Sequence, residues 1–451
     1  MEKKYPVQIR IAALALAAIT IIAGFGACKP IRGFVDVVDI ITQDLPSTDD
    51  TFTSLLEINR AMSEAMARGE TELTFNATGV DEEELKNIGV NLSTFWGKPV
   101  RYSINNEFKD LEGIVPDKAV DVKNITNSFE LSNNFYVYDF LVNGMPIPED
   151  KPYASRIADA LPAIAAEIFT DPGATDYVKA LAVHDWLVSR IDYDETTPEH
   201  SDENGSYGAI VLKRTMCLGY AEGFELLLRC YTDLEVVQIV GYALNFNNDR
   251  VFHETDADED ENGADANAET ADAAGENENA EDADAADADA ADAGEEAIEP
   301  EVAWGGHAWN AVKLDGSWYQ VDATFNDPMG NPTHNISHFY FGQTDEVMSR
   351  NHQWEPDYFP VSDTQNFLYF RKSGLFAEDW EGFQTILTDM LTEEPVANLE
   401  IAVSGESIDE NNIQFLYKLR QDLEEIWWNE QVWEDIHVNS IELIYAISSP
   451  E

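Results

Sequence analysis

The chain has 451 residues, of which 44% are hydrophobic and 11% aromatic, so it is long and apolar enough for two or three globular domains. Its 86 acidic residues outnumber 27 basic ones and give a formal net charge of -59 at pH 7. This charge argues against nucleic acid as a partner, because the phosphates would repel the protein. It fits a cationic partner, a neutral partner or a simple need for solubility.

The first 28 residues have the pattern of a bacterial export signal. Two lysines precede an apolar run from Ile11 to Ala23, and small residues stand directly before Cys28, as in a lipobox. The pattern predicts a lipidated Cys28, with residues 29–50 as a tether. Phe25 stands where a lipobox usually has Leu, which leaves an uncleaved membrane anchor or a secreted form as alternatives. All three place the folded part outside the cytoplasmic membrane, and no later run of the sequence is apolar and long enough to span a bilayer.

Residues 51–150 are predicted to form a small α+β module. Apolar residues at helical spacing mark TSLLEINRAMSEAMARG, an acidic start marks a second helix in DEEELKNIGVNLSTF, and alternation marks a strand in ETELTFNA. Alternating runs predict further strands near Val100 to Phe108, Val120 to Leu131 and Phe135 to Val142. Because the module has no visible nucleophile, base or ligand cluster, we expect it to serve packing or recognition.

Residues 151–375 contain the candidate catalytic residues and are predicted to form a catalytic domain. It begins with two helices, from Tyr153 to Ile168 and from Thr175 to Ile191. His184 lies in the second helix, where packing or a surface position is expected because nothing nearby in the sequence orients its ring.

Cys217 is predicted to begin a buried helix. After it, apolar residues recur at steps of three and four: Leu218, Ala221, Phe224, Leu227 and Leu228. At a helix N-terminus the macrodipole and the unpaired backbone N–H groups favour a thiolate and could stabilise an oxyanion. Thirteen residues of helix would separate Cys217 from Cys230 by about 20 Å, too far for a disulfide. We therefore expect Cys217 to be a free thiol and Cys230 to pack in the core.

A base for this thiol is predicted in a β-hairpin, GGHAWNAVKLDGSWYQVDATFND. Its turn is Asp315-Gly316, a dipeptide that favours a two-residue type I′ turn. If Leu314 pairs with Ser317, then Trp309 faces Asp322, and His307 is the diagonal neighbour of Asp322 on the same face. A carboxylate in that position could hold the tautomer of the imidazole and stabilise its charged form.

These stretches resemble the transglutaminase-like superfamily, which has a papain-like fold. The resemblance rests on KALAVHDWLVSRIDYD, SYGAIVLKRTMCLGYAEGF and GGHAWNAVKLDGSWYQVDATFNDP, and it extends from about Tyr177 to Pro360. It implies an α+β fold, in which a helix bearing the cysteine packs on an antiparallel sheet bearing the histidine and the aspartate. It also implies Cys217 as nucleophile, His307 as base and Asp322 as the orienting carboxylate, with no cofactor or metal. Phe325 departs from the Trp that the family often has.

A long acidic insertion separates the two parts of this predicted site. Residues 254–301 are almost wholly Asp, Glu, Ala, Asn and Gly, a composition that predicts disorder because too little apolar surface could be buried. The insertion could screen the site or attract cationic substrates. Within it, residues from Asp258 to Glu269 match the spacing of an EF-hand loop, but no amphipathic helices flank them, so we expect weak and nonspecific cation binding.

Two further stretches complete the chain. His334 and His338 are spaced for a shared helix face, but the aromatic run after them favours a strand, so no metal site is expected there. Residues 376–451 are predicted to form an accessory α/β module with a helix in EDWEGFQTILTDML, a strand in LEIAVS, a helix from Asn411 to Trp428 and a strand in SIELIYAI.

The first functional hypothesis is therefore an exported, membrane-tethered cysteine enzyme that acts on amide bonds of a peptide or protein substrate, at or near the cell wall or cell surface. Water as the second substrate would make it a peptidase or amidase, which the resemblance favours, and an amine would make it a protein-crosslinking transglutaminase. The second hypothesis is a noncatalytic binding or scaffold protein of the cell surface. The presence of all three predicted catalytic residues favours the enzyme.

Overall fold

The computed structural model describes residues 51–80, 88–89, 92–104, 106–110, 122–198, 201–244, 304–327, 336–392, 398–404, 433–438 and 442–448. Several sequence predictions lie outside these residues: the export signal with Cys28, the tether, the acidic insertion with its EF-hand pattern, His334, the helix predicted from Asn411 to Trp428, and most of the second helix predicted in the N-terminal module.

The N-terminal part is a five-stranded sheet with one helix packed on it. The strand order is β1-β2-β5-β3-β4. Helix α1 begins after Ser54, whose hydroxyl accepts from the backbone N–H of Glu57, and it buries Ile58, Met62 and Met66 against the sheet. The bounds are β1 Thr51–Phe52, α1 Leu55–Ala67, β2 Glu72–Ala77, β3 Gly97–Ile104, β4 Glu107–Asp110 and β5 Val122–Leu131.

The strand predicted from Phe135 to Val142 is wrong, because this segment is helix α2, Asn133–Asn143. The hydroxyl of Ser132 caps the first turn by accepting from the N–H of Phe135, and Gly144 ends the helix in the left-handed conformation with φ 73°. The aromatic and β-branched residues that suggested a strand are mostly half-buried, with Val137 turned into the core of the next domain. Local caps and packing on one face override the strand propensity here.

The central part is an α+β fold, as predicted: two helices pack against an antiparallel sheet, and a third packs on those helices. The helix that begins at Cys217 lies against the strand that bears His307, and the side-chain amide of Asn310 joins them by donating to the carbonyl of Ala221 at 3.1 Å. The sheet has the order β11-β10-β9-β8-β12. The bounds are α3 Pro152–Ile168, α4 Asp176–Arg190, β6 Asp192–Tyr193, β7 Arg214–Thr215, α5 Cys217–Tyr231, β8 Val236–Leu244, β9 Trp304–Leu314, β10 Ser317–Val321, β11 Phe341–Gln343, α6 Asp345–Met348, β12 His352–Gln353 and α7 Leu368–Ser373.

The C-terminal part contains a parallel βαβ unit within a four-stranded sheet of order β13-β14-β16-β15. Strands β13 and β14 pair in parallel, with helix α8 between them in sequence, and β14 and β15 both pair antiparallel with β16. The bounds are β13 Phe376–Ala377, α8 Trp380–Thr392, β14 Asn398–Ser404, β15 Trp433–Val438 and β16 Glu442–Ser448.

Among the described helices, not one combines the length and the apolar character that a membrane crossing requires.

Candidate active site

Cys217 is the first residue of helix α5, and its thiol is free and partly exposed. The capping position, Met216, has an extended backbone and offers no side-chain hydrogen bond, so this residue does not cap the N–H groups of the first turn. Gly219 is required in this turn, because a Cβ there would lie 2.2 Å from the hydroxyl of Thr215. The thiol of Cys230 is also free, as predicted, and burial raises its pKa to about 12.

The hairpin that carries His307 has the predicted register. Leu314 pairs with Ser317, and the turn residues Asp315 and Gly316 both have positive φ, 52° and 91°, as a type I′ turn requires. Pairing continues to the end of β10, which places Asp322 as the next residue, opposite Trp309. The predicted diagonal contact forms: His307 Nε2 lies 2.6 Å from Asp322 Oδ2.

His307 stands between the thiol and the carboxylate. Its side chain is only 7% exposed, and burial alone would lower the pKa of its ring. The Asp322 charge, the Cys217 charge and the hydrogen bonds to both residues outweigh burial and raise the pKa of His307 to about 10. Since Nε2 faces Asp322, Nδ1 is the nitrogen left for the thiol. The ring therefore carries a proton at neutral pH and can pair with a thiolate.

Asp322 is completely buried and accepts hydrogen bonds at both oxygens. The backbone N–H groups of Thr324 and Phe325 donate to Oδ1 at 2.9 and 3.0 Å, while His307 and His352 contact Oδ2 at 2.6 and 2.9 Å. Burial would raise the pKa of this carboxyl, but the two histidines lower it well below its usual range. Asp322 therefore stays ionised.

His352 is a member of the site that the sequence did not indicate. It lies on β12, a strand of two residues that pairs with β8, and no motif connects it with Asp322. The ring of Phe325, the position where the family often has Trp, lies 4.9 Å from the ring of His307 and 4.7 Å from that of His352. We call Cys217, His307, Asp322 and His352 the active-site cluster.

A second group of histidines and carboxylates, the junction cluster, consists of His184, Asp185, His338 and Glu400. His338 Nδ1 lies 2.6 Å from Glu400 Oε2, and its Nε2 lies 3.1 Å from Asp185 Oδ1. Burial would lower the pKa of His338, but these two carboxylates raise it to about 9. The cluster thereby joins helix α4, the turn before β11 and strand β14. His338 lies in that turn and not in the predicted strand.

His184 packs in the core, but the expectation that nothing orients it is wrong. Its Nδ1 lies 2.9 Å from Asp185 Oδ1, and its Nε2 lies 2.8 Å from Asn326 Nδ2. Asn326 Oδ1 accepts from the N–H of Tyr340, so its amide nitrogen must face the histidine and donate to Nε2. The proton of His184 is therefore on Nδ1. No local pattern in the sequence indicates this contact, because Asn326 is 142 residues away.

Two groups of described residues bring three possible metal ligands within 4.8 Å of one another. They are His184, Asp185 and His338, and His307, Asp322 and His352. A metal in the first group would need His184 Nδ1, which requires the proton to move to Nε2 against the donor of Asn326. In the second group a metal would displace the hydrogen bonds that hold Asp322.

A polar cavity of about 370 Å³ adjoins the first turns of helix α5, between that helix and the N-terminal sheet. Its lining includes Leu218 and Glu222 of the helix, Ser206 of the preceding loop, and Lys98 and Glu130 of the sheet. Burial raises the pKa of Glu222 to about 7, although the N–H of Ser206 donates to it at 2.8 Å. The cavity thus combines cationic and acidic groups next to the residue that follows Cys217.

Comparisons with known proteins gave a family match and two solved structures. Two solved structures are similar to the chain. The first is a candidate cysteine protease from Cytophaga hutchinsonii, with 15% identity, a TM-score of 0.23 and a match that covers 52% of this chain and 68% of that one. The second is a TGase, with 12% identity, a TM-score of 0.21 and a match that covers 58% of this chain and 52% of that one. No curated protein matches the sequence. The family model described as "Transglutaminase-like superfamily" matches residues 162–323. These residues, which include Cys217, His307 and Asp322, therefore form a domain of the transglutaminase-like superfamily, whose members are typically cysteine peptidases or acyltransferases.

Proposed function

We propose that this protein is a cysteine enzyme that cleaves amide bonds of peptides or proteins through a thioester intermediate. The observation that carries the proposal is the position of His307: it interacts with the Cys217 thiol at a helix N-terminus and contacts Asp322 on its other side. This arrangement supplies a nucleophile, a proton carrier and an orienting charge in one chain of contacts.

The chemistry follows from these contacts. The Cys217 thiolate attacks the amide carbonyl, and the N–H groups of the first turn of helix α5 stabilise the oxyanion. When the C–N bond breaks, His307 gives its proton to the leaving amine, and the acyl group stays on sulfur as a thioester. His307, now neutral, accepts a proton from water, and the resulting hydroxide attacks the thioester; the C–S bond breaks, the acid is released, and the thiolate of Cys217 is restored beside the protonated His307. Asp322 stabilises the charged form of His307 throughout.

An amine in place of water would close the same cycle as a transglutaminase, which is the alternative outcome. We favour hydrolysis because of the resemblance stated above, and the polar cavity beside Leu218 offers space for polar parts of a peptide. The protein is further proposed to act outside the cytoplasmic membrane, tethered through Cys28. Metabolic labelling with a radioactive fatty acid tests the tether: label is expected on the wild type and absent from Cys28→Ala, and equal label on both would contradict it.

The proposed chemistry is tested by alkylation of the full chain with iodoacetamide over a pH series. We expect Cys217 to label rapidly well below pH 8, and His307→Ala to slow that labelling at least tenfold, because the thiolate loses its counterion. Cys230 is the internal control, since its raised pKa keeps it a thiol at these pH values. Equal labelling rates for the two cysteines would instead support a noncatalytic binding protein.

A peptide mixture, incubated with and without a dansyl-labelled primary amine, then separates the two reactions. Cleavage products with little dansyl incorporation identify a peptidase or amidase, and dansyl incorporation without cleavage identifies a transglutaminase. Cys217→Ser is the blank in both assays.

A further inference from the structure

The carboxylate of Asp322 is held by hydrogen bonds at both of its oxygens. A site made only of Cys217, His307 and Asp322 does not account for one of them, the contact of Oδ2 with His352. Its Oδ1 accepts from two backbone N–H groups, those of Thr324 and Phe325. These two bonds fix the position of Oδ1, but they do not fix the rotation of the carboxylate that positions Oδ2. Oδ2, the oxygen that meets His307, has one further contact, with His352 Nε2 at 2.9 Å.

The ring of His352, like the carboxylate of Asp322, is fixed by the residues around it. Its side chain is fully buried, and its strand pairs with β8, which places it opposite Ala243. The rings of Trp309 and Phe325 lie 4.9 and 4.7 Å from its own. Its Nδ1 lies 2.7 Å from Asn351 Oδ1, and Nδ2 of the same amide donates to the Tyr340 hydroxyl at 2.6 Å. A ring packed in this way has one orientation, with Nε2 directed at Asp322.

His352 is a hydrogen-bond donor to Asp322. The contact of 2.9 Å between Nε2 and an ionised carboxylate oxygen requires a proton on Nε2. On the opposite side of the ring, Nδ1 faces the Oδ1 of Asn351, which is also an acceptor. His352 therefore bridges Asp322 and Asn351, and Asn351 holds the ring from the side away from the carboxylate.

We propose that His352 is a positioning residue of the site, which fixes the Asp322 carboxylate so that Oδ2 faces His307. The inference rests on the proposed function, because positioning matters only if the Cys217 and His307 pair is reactive. His352 lies outside the residues that the family model matches, so its role comes from the contacts of this chain alone. Without it, the ionised Asp322 would lose one of four donors in a dry environment and could turn away from His307.

The test uses two substitutions of His352, of which one keeps an N–H donor and the other removes it. His352→Phe keeps a planar ring of similar size but has no donor, whereas His352→Gln keeps an N–H at a similar distance from the backbone. The readout is the rate of iodoacetamide labelling of Cys217 between pH 5.5 and 9 in the full chain, together with thermal unfolding of each variant. Wild type and His307→Ala are measured alongside.

We expect His352→Phe to label about tenfold more slowly than wild type at pH 6.5, and His352→Gln to stay within about threefold of wild type. If His352→Phe labels at the wild-type rate and His307→Ala still labels slowly, the positioning role of His352 is wrong and the proposed function stands. If His307→Ala labels as fast as wild type, the proposed function itself fails. Should His352→Phe not fold, Asn351→Ala frees the ring from behind, and an unchanged labelling rate there would count against the positioning role.

Discussion

The active-site cluster and the junction cluster are built from the same parts and differ in what lies next to them. Each has two histidines on one carboxylate, at separations between 2.6 and 3.1 Å. In the first, the carboxylate is fully buried and the outer histidine meets a partly exposed thiol at a helix N-terminus. In the second, the described neighbours of His338 are a second carboxylate and the ring of Tyr369. A histidine with a perturbed pKa therefore identifies a catalytic site only together with a nucleophile.

We expect the largest difference between the two clusters when the same charge is removed from each. We expect Asp322→Asn to lower the rate of amide cleavage about 10³-fold, because the amide no longer holds the tautomer or stabilises the charge of His307. The matched variant Asp185→Asn should change the rate less than about threefold while it lowers stability. Peptide cleavage rates and thermal unfolding of both variants provide the measurement, and a comparable rate loss in Asp185→Asn would show that the two clusters are functionally coupled.

The next effect concerns stability at the junction. Glu400→Gln leaves the charged, buried His338 with one carboxylate, and we expect a loss of about 3 kcal/mol of unfolding free energy near pH 6. The cleavage rate should stay near that of wild type. Chemical denaturation at pH 6 measures the loss, and an unchanged midpoint would mean that Glu400 does not stabilise the charged ring.

The same ion pair predicts a pH dependence. The pKa of His338 is raised to about 9 from an ordinary 6.5, so its contribution to stability is complete below about pH 6.5 and is lost as the pH rises through 9. The stability difference between wild type and Glu400→Gln should therefore shrink between pH 6.5 and pH 9. A difference that is constant over this range would show that His338 does not change its charge there.

The smallest expected effect comes from a single aromatic ring in the junction cluster. Tyr369 stacks on His338 with 3.8 Å between ring centroids and 6° between planes, a geometry that stabilises a cationic ring. We expect Tyr369→Leu to cost about 1 kcal/mol at pH 6. Tyr369→Phe, the control, keeps the stacking face and should cost less. Thermal unfolding measures the stability loss of both variants. Equal losses would show that the effect comes from the tyrosine hydroxyl and not from the stacked ring.

The parts of the site that the sequence predicts are those set by local rules. The Asp315-Gly316 turn fixes the hairpin register, and that register alone brings His307 to Asp322. The helix that starts at Cys217 follows from apolar spacing in one segment. Helix α2 shows the limit of such rules: Ser132 and Gly144 mark its ends in the sequence, but the aromatic run between them has strand propensity and led to the wrong prediction.

The parts that sequence reasoning missed depend on contacts between distant segments. His352 reaches Asp322 through a strand of two residues, too short to show a periodicity. Glu400 lies 62 residues after His338, and Asp185 lies 153 residues before it. Neither pairing has a local signature, because packing within the central domain brings Asp185 to His338, and packing of the C-terminal sheet on that domain brings Glu400 to it.

The pairing of β8 with β9 has a consequence for the order in which this protein folds. Leu244 and Trp304 are partners at the open end of that pair, so residues 245–303 leave and re-enter the sheet at one point, three residues from His307. Pairing Leu244 with Trp304 closes a far longer connection than the two-residue turn between β9 and β10, and it therefore costs more chain entropy, since each doubling of a loop costs about 0.6 kcal/mol. The local hairpin of β9 and β10 should then form before β8 joins it. The histidine and the aspartate would meet early in folding, and the last strands to arrive would be β8 and, with it, the β12 strand that carries His352.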